Sequence, residues 1–239
     1  MVLTKAGKTL KKMMELTMFQ KLQQLPLLQG LNNSELQDLV SIVRLEFQQK
    51  EQEDIIAEQN DSCQRITFLL SGSVRAEFHE PSGQYIFSEI IDSPSVIEPY
   101  SMFGMVQRYT RSYICHTECS TITIERKQFI NIMMNNHIIK ANMLNLICNS
   151  LQQMEKKLHL IYDQDTTTKV AYFFYTCALT NKGQKHIYIK METLADIIGE
   201  TRLNVSRSLK TFREAGLLTS ERKSFTITDM NELITRYVM

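Results

Sequence analysis

Between residues 201 and 210 the chain reads Thr-Arg-Leu-Asn-Val-Ser-Arg-Ser-Leu-Lys. Wound as an α-helix, this stretch puts Arg202, Leu203, Ser206, Arg207 and Lys210 on one side and Val205, Leu209 and Phe212 on the other. The first side carries three cations and a hydroxyl, and its helix holds no acid before Glu214. A solvated helix face usually mixes signs, so an unmixed one implies a polyanion partner. The guanidinium fork of Arg202 or Arg207 can pair with O6 and N7 of guanine, worth about 1–3 kcal/mol of discrimination per pair. Thr201 at the helix start, and Thr193 at the start of the preceding helix, can offer hydroxyl and backbone N–H groups to phosphates. No catalytic set is expected, and double-stranded DNA is the partner this chemistry implies.

These side chains need a support that holds the helix outward. Leu194, Ala195 and Ile198 form one apolar helix face, with Ala195 small where a second helix must approach. Gly199 follows as a residue suited to the left-handed conformation that ends a helix, and Thr201 suits an N-cap. Helix, short glycine turn and helix make a helix-turn-helix pattern. After Gly216-Leu217-Leu218, residues 219–227 read as a hairpin whose tip, Arg222-Lys223, would act as a wing against the DNA backbone.

The rest of the chain is built differently. Of 239 residues, 43% are apolar and 22% charged, which suits one or two globular domains. The net charge of +1 conceals an asymmetry: residues 166–239 hold 11 basic and 7 acidic side chains, against 16 and 19 before them. No apolar run is long enough for a membrane span. Lys5, Lys8, Lys11 and Lys12 precede no apolar core of a signal peptide, so residues 1–17 read as a frayed amphipathic segment. Five widely spaced cysteines, Cys63, Cys115, Cys119, Cys148 and Cys177, suit a reducing cytoplasm rather than a disulfide framework. His79, His116 and His137 give no metal-ligand spacing, so neither a metal site nor an iron–sulfur cluster is expected.

Residues 18–43 read as helical, with Asn33 or Ser34 as an N-cap before Leu36, Leu39, Val40 and Val43. Residues 44–125 break into short alternating segments with turn chemistry at Ser71-Gly72 and Pro81-Ser82-Gly83. That texture predicts an antiparallel sandwich or jelly roll. From Lys127 to Tyr162 the period becomes helical, and Leu144, Ile147, Leu151, Met154, Leu158 and Ile161 are spaced 3, 4, 3, 4, 3. This seam predicts a homodimer through the helix, while Met143 and Leu146 face the roll. Residues 163–168 read as a hinge. The expected fold class is α+β, divided into a sensory roll with N-terminal helices (1–126), a dimerisation helix and hinge (127–165) and a winged helix-turn-helix (166–239).

With these segments in hand, the chain from residue 18 to 239 resembles the Crp/Fnr family of bacterial transcription regulators. The resemblance is carried by Leu25-Pro26-Leu27-Leu28-Gln29-Gly30-Leu31, by Phe68-Leu69-Leu70-Ser71-Gly72-Ser73-Val74, and by the run Ala195 to Lys210, which follows A-x-x-x-G-x-[ST]-R-x-x-V-[SG]-R-x-L-K. It implies base contacts by Arg202 and Arg207, phosphate contacts by Thr201 and Lys210, an effector in the roll, and RNA polymerase as a further partner. Leu203 stands where the family often has Glu, and suits a thymine methyl rather than a cytosine amine. By the same resemblance an effector pocket would include Glu98, Arg111 and Ser112. In members that bind cyclic AMP, a glycine precedes that glutamate. Here Ile97 takes its place, Ser93-Pro94 replaces Gly-Asp and Tyr113 replaces a small residue, which weighs against a cyclic nucleotide; no cofactor is expected. Two other readings stay open. One is a ligand-binding module whose tail docks a protein. The other is a cupin-like enzyme, which would need a His/Glu metal set that this sequence lacks.

Overall fold

The computed structural model describes residues 18–158 and 165–238. The lysines of the N-terminal segment, Ile161 and residues 163–164 of the expected hinge lie outside them, while residues 165–168 of that hinge are the N-cap and first turn of a helix. Helices α1 (Met18–Gln24) and α2 (Asn33–Ile42) come first. The cap of α2 is Asn32, not Asn33 or Ser34. Its side chain accepts the Glu35 N–H at 2.9 Å while Glu35 accepts the Asn32 N–H at 2.9 Å. This reciprocal capping box pairs Asn32 with Glu35, a partner that Asn33, with Leu36 three residues on, does not have.

Strands β1 (Glu46–Lys50), β2 (Ile55–Ala57), β3 (Arg65–Ser71), β4 (Ser73–His79), β5 (Tyr85–Asp92), β6 (Ser95–Ile97), β7 (Ser112–Cys115) and β8 (Cys119–Glu125) form the roll. One sheet runs β1-β8-β3-β6, and β5-β4-β7-β2 belong to a second. Alternation puts Ile66 and Phe68 of β3, Val74 and Ala76 of β4, Tyr113 and Cys115 of β7, and Ile122 and Ile124 of β8 into one core. Gly72 alone carries the chain from β3 in the first sheet to β4 in the second, at φ 86°.

The helical stretch after the roll is broken. Helix α3 (Arg126–Asn135) ends at Asn136, and α4 (His137–Leu158) begins there. The Asn136 side chain accepts the N–H groups of Ile138 and Ile139, which caps the new helix and interrupts the one read from Lys127 to Tyr162. Phe129 of α3 packs edge-on against Phe68 at 6.4 Å. Met143 is buried in the roll core and Leu146 packs against it. Asn142 donates to the Leu27 and Gln29 carbonyls, tying α4 to the N-terminal segment.

The C-terminal part comprises α5 (Thr166–Cys177), β9 (Lys185–Ile189), α6 (Met191–Ile198), α7 (Arg202–Glu214), β10 (Leu218–Glu221), β11 (Ser224–Ile227) and α8 (Met230–Tyr237). Its hairpin does not stand alone. The sheet runs β10-β11-β9-β5-β4-β7-β2, so β9 pairs antiparallel with β5 of the roll from Tyr85↔Ile189 to Glu89↔Lys185. Phe87 of β5 lies in the same apolar cluster as Phe174, Ile187, Leu209 and Phe225. Among the described residues no helix is long and apolar enough to cross a membrane.

Replacement of Gly72 by Ala would put a Cβ 2.3 Å from the Glu118 carbonyl oxygen and 2.9 Å from Cys119 Sγ. The left-handed φ costs about 1–3 kcal/mol by itself, and the collision with backbone adds to it. Thermal unfolding of Gly72→Ala is therefore expected at a clearly lower Tm than wild type.

Candidate nucleic-acid interface and sensory cassette

Helix α6 ends on Gly199 at φ 67°, and the Glu200 N–H reaches back to the Ala195 carbonyl at 3.0 Å. This closes the orphan carbonyls and turns the chain. Thr201 then caps α7, its hydroxyl accepting the Asn204 N–H at 3.2 Å. Val205, Ser208, Leu209 and Phe212 are the buried side of α7. Ser208 is satisfied against Thr167 of α5 at 3.1 Å, and Ala195 is buried on α6, which packs against α7.

The other side of α7 is open. Thr201, Arg202, Ser206, Arg207 and Lys210 are exposed, and Leu203 is 61% exposed. Thr193 is half-buried at the start of α6. Arg222 and Lys223 are exposed between β10 and β11, where Lys223 takes φ 63°. A cleft of about 300 Å³ lies between wing and helix, lined by Lys190, Glu192, Arg202, Ser220 and Lys223 among others. The residues read from sequence as DNA contacts thus lie on α7, the α6 start and the hairpin tip. A cation at the N-terminus of a helix opposes the helix dipole, and α7 has no acid in its first turn. Glu192 of α6 supplies the counter-charge, 3.2 Å from Arg202. This tertiary neighbour is invisible in the α7 sequence. Lys210 has Glu214 at 3.6 Å on its own helix.

The cassette in the roll differs from the expectation. Glu98, Arg111 and Ser112 do not converge. Glu98 is buried at φ 35° and already saturated: it accepts from Thr110 N–H at 2.9 Å, Thr110 hydroxyl at 2.6 Å, Ser101 at 2.7 Å and Tyr113 at 3.0 Å. Ser112 accepts the Gln59 N–H at 3.0 Å. Arg111 points the other way, donating to the Cys177 carbonyl at 2.7 Å, with Nη1 3.7 Å from Glu89 Oε1 and its guanidinium 5.6 Å from the centre of the Phe78 ring. The reason is a competing buried carboxylate at Glu89, which draws Arg111 in beside its closer partner Lys185. Ile97 and Tyr113 are buried where a small residue would leave room, and burial raises the Tyr113 hydroxyl pKa well above its ordinary value. These side chains therefore do not fit a cyclic nucleotide. Among the described residues no group of His, Cys, Asp and Glu could hold a metal ion, and burial pushes the Cys115 thiol up to about 12.

Sequence reasoning missed the junction of the two parts. Glu89 is 1% exposed and Lys185 0%. Lys185 donates to Glu89 at 2.7 Å, to Thr180 at 3.1 Å and to the Lys182 carbonyl at 2.7 Å. A usable signal existed: in β9 Lys185 alternates with Ile187 and Ile189 on the inward side.

A cyclic nucleotide-binding domain model matches residues 47–136, and a Crp-like helix-turn-helix domain model matches residues 168–236. None of the curated proteins matches the chain. The catabolite activator protein of Thermus thermophilus superposes with TM-score 0.52 at 19% identity, over 87% of this chain and 96% of that one. A transcriptional regulator of the Crp/Fnr family from Eubacterium rectale gives TM-score 0.52 at 20% identity, over 88% and 97%. At these identities the likenesses establish the fold. A nucleotide-binding-type roll joined to a winged helix-turn-helix defines a class of ligand-sensing DNA-binding regulators. Within that class, the chain belongs to the Crp/Fnr family of transcription regulators.

Gly199→Ala tests the turn against Gly72→Ala. A Cβ at Gly199 meets nothing within 4 Å, so only the left-handed φ resists it. A loss of about 1–3 kcal/mol is expected in chemical denaturation, smaller than for Gly72→Ala, which adds the backbone collision.

Proposed function

We propose that the protein acts as a homodimer that reads a two-fold operator with α7 and works by binding rather than catalysis. The observation that carries this reading is the exposed set Arg202, Leu203, Ser206, Arg207 and Lys210, held outward by the Gly199 turn. In the proposal Arg202 and Arg207 address base edges, and Thr193, Thr201, Lys210, Arg222 and Lys223 address phosphates. Leu203 lies against a thymine methyl. A dimer sets the two α7 helices in successive major grooves about 34 Å apart. Bound at a promoter, it meets RNA polymerase. The division into roll (1–126), dimerisation helix and hinge (127–165) and winged helix (166–239) belongs to the same proposal.

The dimer contact is assigned to α4. Leu144, Leu151 and Met154 are 57%, 64% and 61% exposed. An apolar stripe of that exposure, spaced seven and three along a helix, is what a coiled-coil partner covers. Ile147, read as part of the same seam, is half-buried against the roll core, so it contributes less. Leu158 and Ile161 continue the seam in sequence. The cassette composition supports an effector other than a cyclic nucleotide.

Binding to a pool of random duplexes, followed by sequencing, tests the reading; no enrichment by the intact dimer would end it. Arg207→Ala is expected to weaken the selected site by about 1–3 kcal/mol and to relax preference at one position. Lys210→Ala is expected to weaken all sequences alike and to lower the salt slope by about one unit. Unchanged base preference in Arg207→Ala would remove that residue from the reading. Leu151→Lys should give a monomer in sedimentation, because a charge replaces an apolar seam position.

A further inference from the structure

Three parts of the molecule meet at one buried place. The roll supplies Glu89 and Arg111, the dimerisation helix supplies Lys157, and the winged helix supplies Lys185 and the loop after α5. That loop is held on its backbone by charged side chains. Arg111 donates to the Cys177 carbonyl at 2.7 Å and Lys157 to the Ala178 carbonyl at 2.6 Å. Glu89 accepts the Leu179 N–H at 2.6 Å and the Thr180 N–H at 3.2 Å. Tyr172 of α5 also donates to the Lys157 carbonyl, and Tyr85 of β5 packs edge-on against Phe173 at 5.5 Å. The cations thus cover the carbonyl end of α5, where the helix dipole favours positive charge.

The second observation is the position of Arg111 in the chain. Its neighbour Thr110 is bound to the cassette carboxylate Glu98 through both N–H and hydroxyl. Tyr113, two residues further, reaches the same carboxylate. Two buried carboxylates therefore flank one short segment: Glu98 in the cassette and Glu89 at the junction. A single peptide unit separates Arg111 from the residue bound to Glu98. One donor atom of Arg111, Nη1, is buried and makes no hydrogen bond, so its seat on Glu89 is not saturated.

The geometry points to Arg111 as a positioning residue that latches the winged helix onto the roll and couples that latch to the Glu98 cassette. The latch fixes α7 relative to α4, so a dimer presents both recognition helices at a set spacing. A loosened domain must be ordered on each binding event, which weakens binding without removing a DNA contact. The DNA consequence rests on the function proposed above; the latch itself does not.

Hydrogen exchange of the full-length protein tests the latch directly. Arg111→Gln should raise exchange at residues 85–89 and 185–189 at least tenfold, while the β3 and β8 amides keep their protection and show that the roll remains folded. Arg111→Lys, which keeps the charge and one donor, should return most of that protection. Thr110→Val, which removes one bond to Glu98 without changing shape, should raise exchange at 185–189 in wild type and add nothing in the Arg111→Gln background. On a selected duplex, Arg111→Gln should weaken binding at least tenfold with an unchanged salt slope. Equal exchange in wild type and Arg111→Gln overturns the latch. Additive effects of Thr110→Val and Arg111→Gln overturn the coupling. A salt slope lowered by one unit makes Arg111 a phosphate contact instead and overturns the positioning role. If wild type binds no duplex, the function proposed above fails while the exchange arms still decide the latch.

Discussion

The pairing of β5 with β9, with the buried carboxylate of Glu89 at its end, is the constraint around which the two parts of this protein are arranged. A buried carboxylate is tolerated only if its charge is matched and its oxygens are bonded. Glu89 meets both conditions, but every partner lies outside its own strand: Lys185, Thr180, Leu179 and Arg111. Removal of one member of such a pair typically costs about 3–5 kcal/mol, because the other charge stays buried. The winged helix is thereby attached through polar chemistry and strand pairing together. Phe87 adds an apolar anchor by entering the C-terminal core.

This constraint explains the departure in the cassette. Arg111 could serve either the pocket or the junction, and at the junction it gains the Cys177 carbonyl, the Phe78 ring and the Glu89 charge. Glu98 does not miss it, since four protein donors already fill its oxygens. Tyr113 occupies the space and supplies one of those donors. Two departures that look separate in the sequence, at Ile97 and Tyr113, become one rearrangement in the fold together with the redirected Arg111.

The recognition surface shows a related division of labour. The dipole opposes a cation at the start of α7, where Arg202 stands, and Arg202 and Lys210 are both exposed. They are sustained by Glu192, Glu214 and solvent. In the proposed reading these exposed counter-charges are exchanged for phosphates. The burial of Val205, Leu209 and Phe212 keeps that surface outward.

The sequence by itself determined whatever depends on short-range pattern. Short apolar segments cut by polar turns gave the roll, the 4-and-3 spacing of Val205, Leu209 and Phe212 gave the buried side of α7, and Gly199 with Thr201 gave the turn. Each of these is set by residues within a few positions of one another, through backbone preference and side-chain periodicity. Local reading also had limits: Asn32 displaced Asn33 as a cap, and Asn136 interrupted a helix that its apolar period carried through. Only the tertiary structure decided where Glu89, Arg111, Lys157 and Lys185 would meet, that Glu192 would face Arg202, and that Ile147 would turn toward the roll. Those contacts join residues far apart in the chain. A charged side chain carries no mark of its partner until the fold has removed water from around it and left a single neighbour within reach.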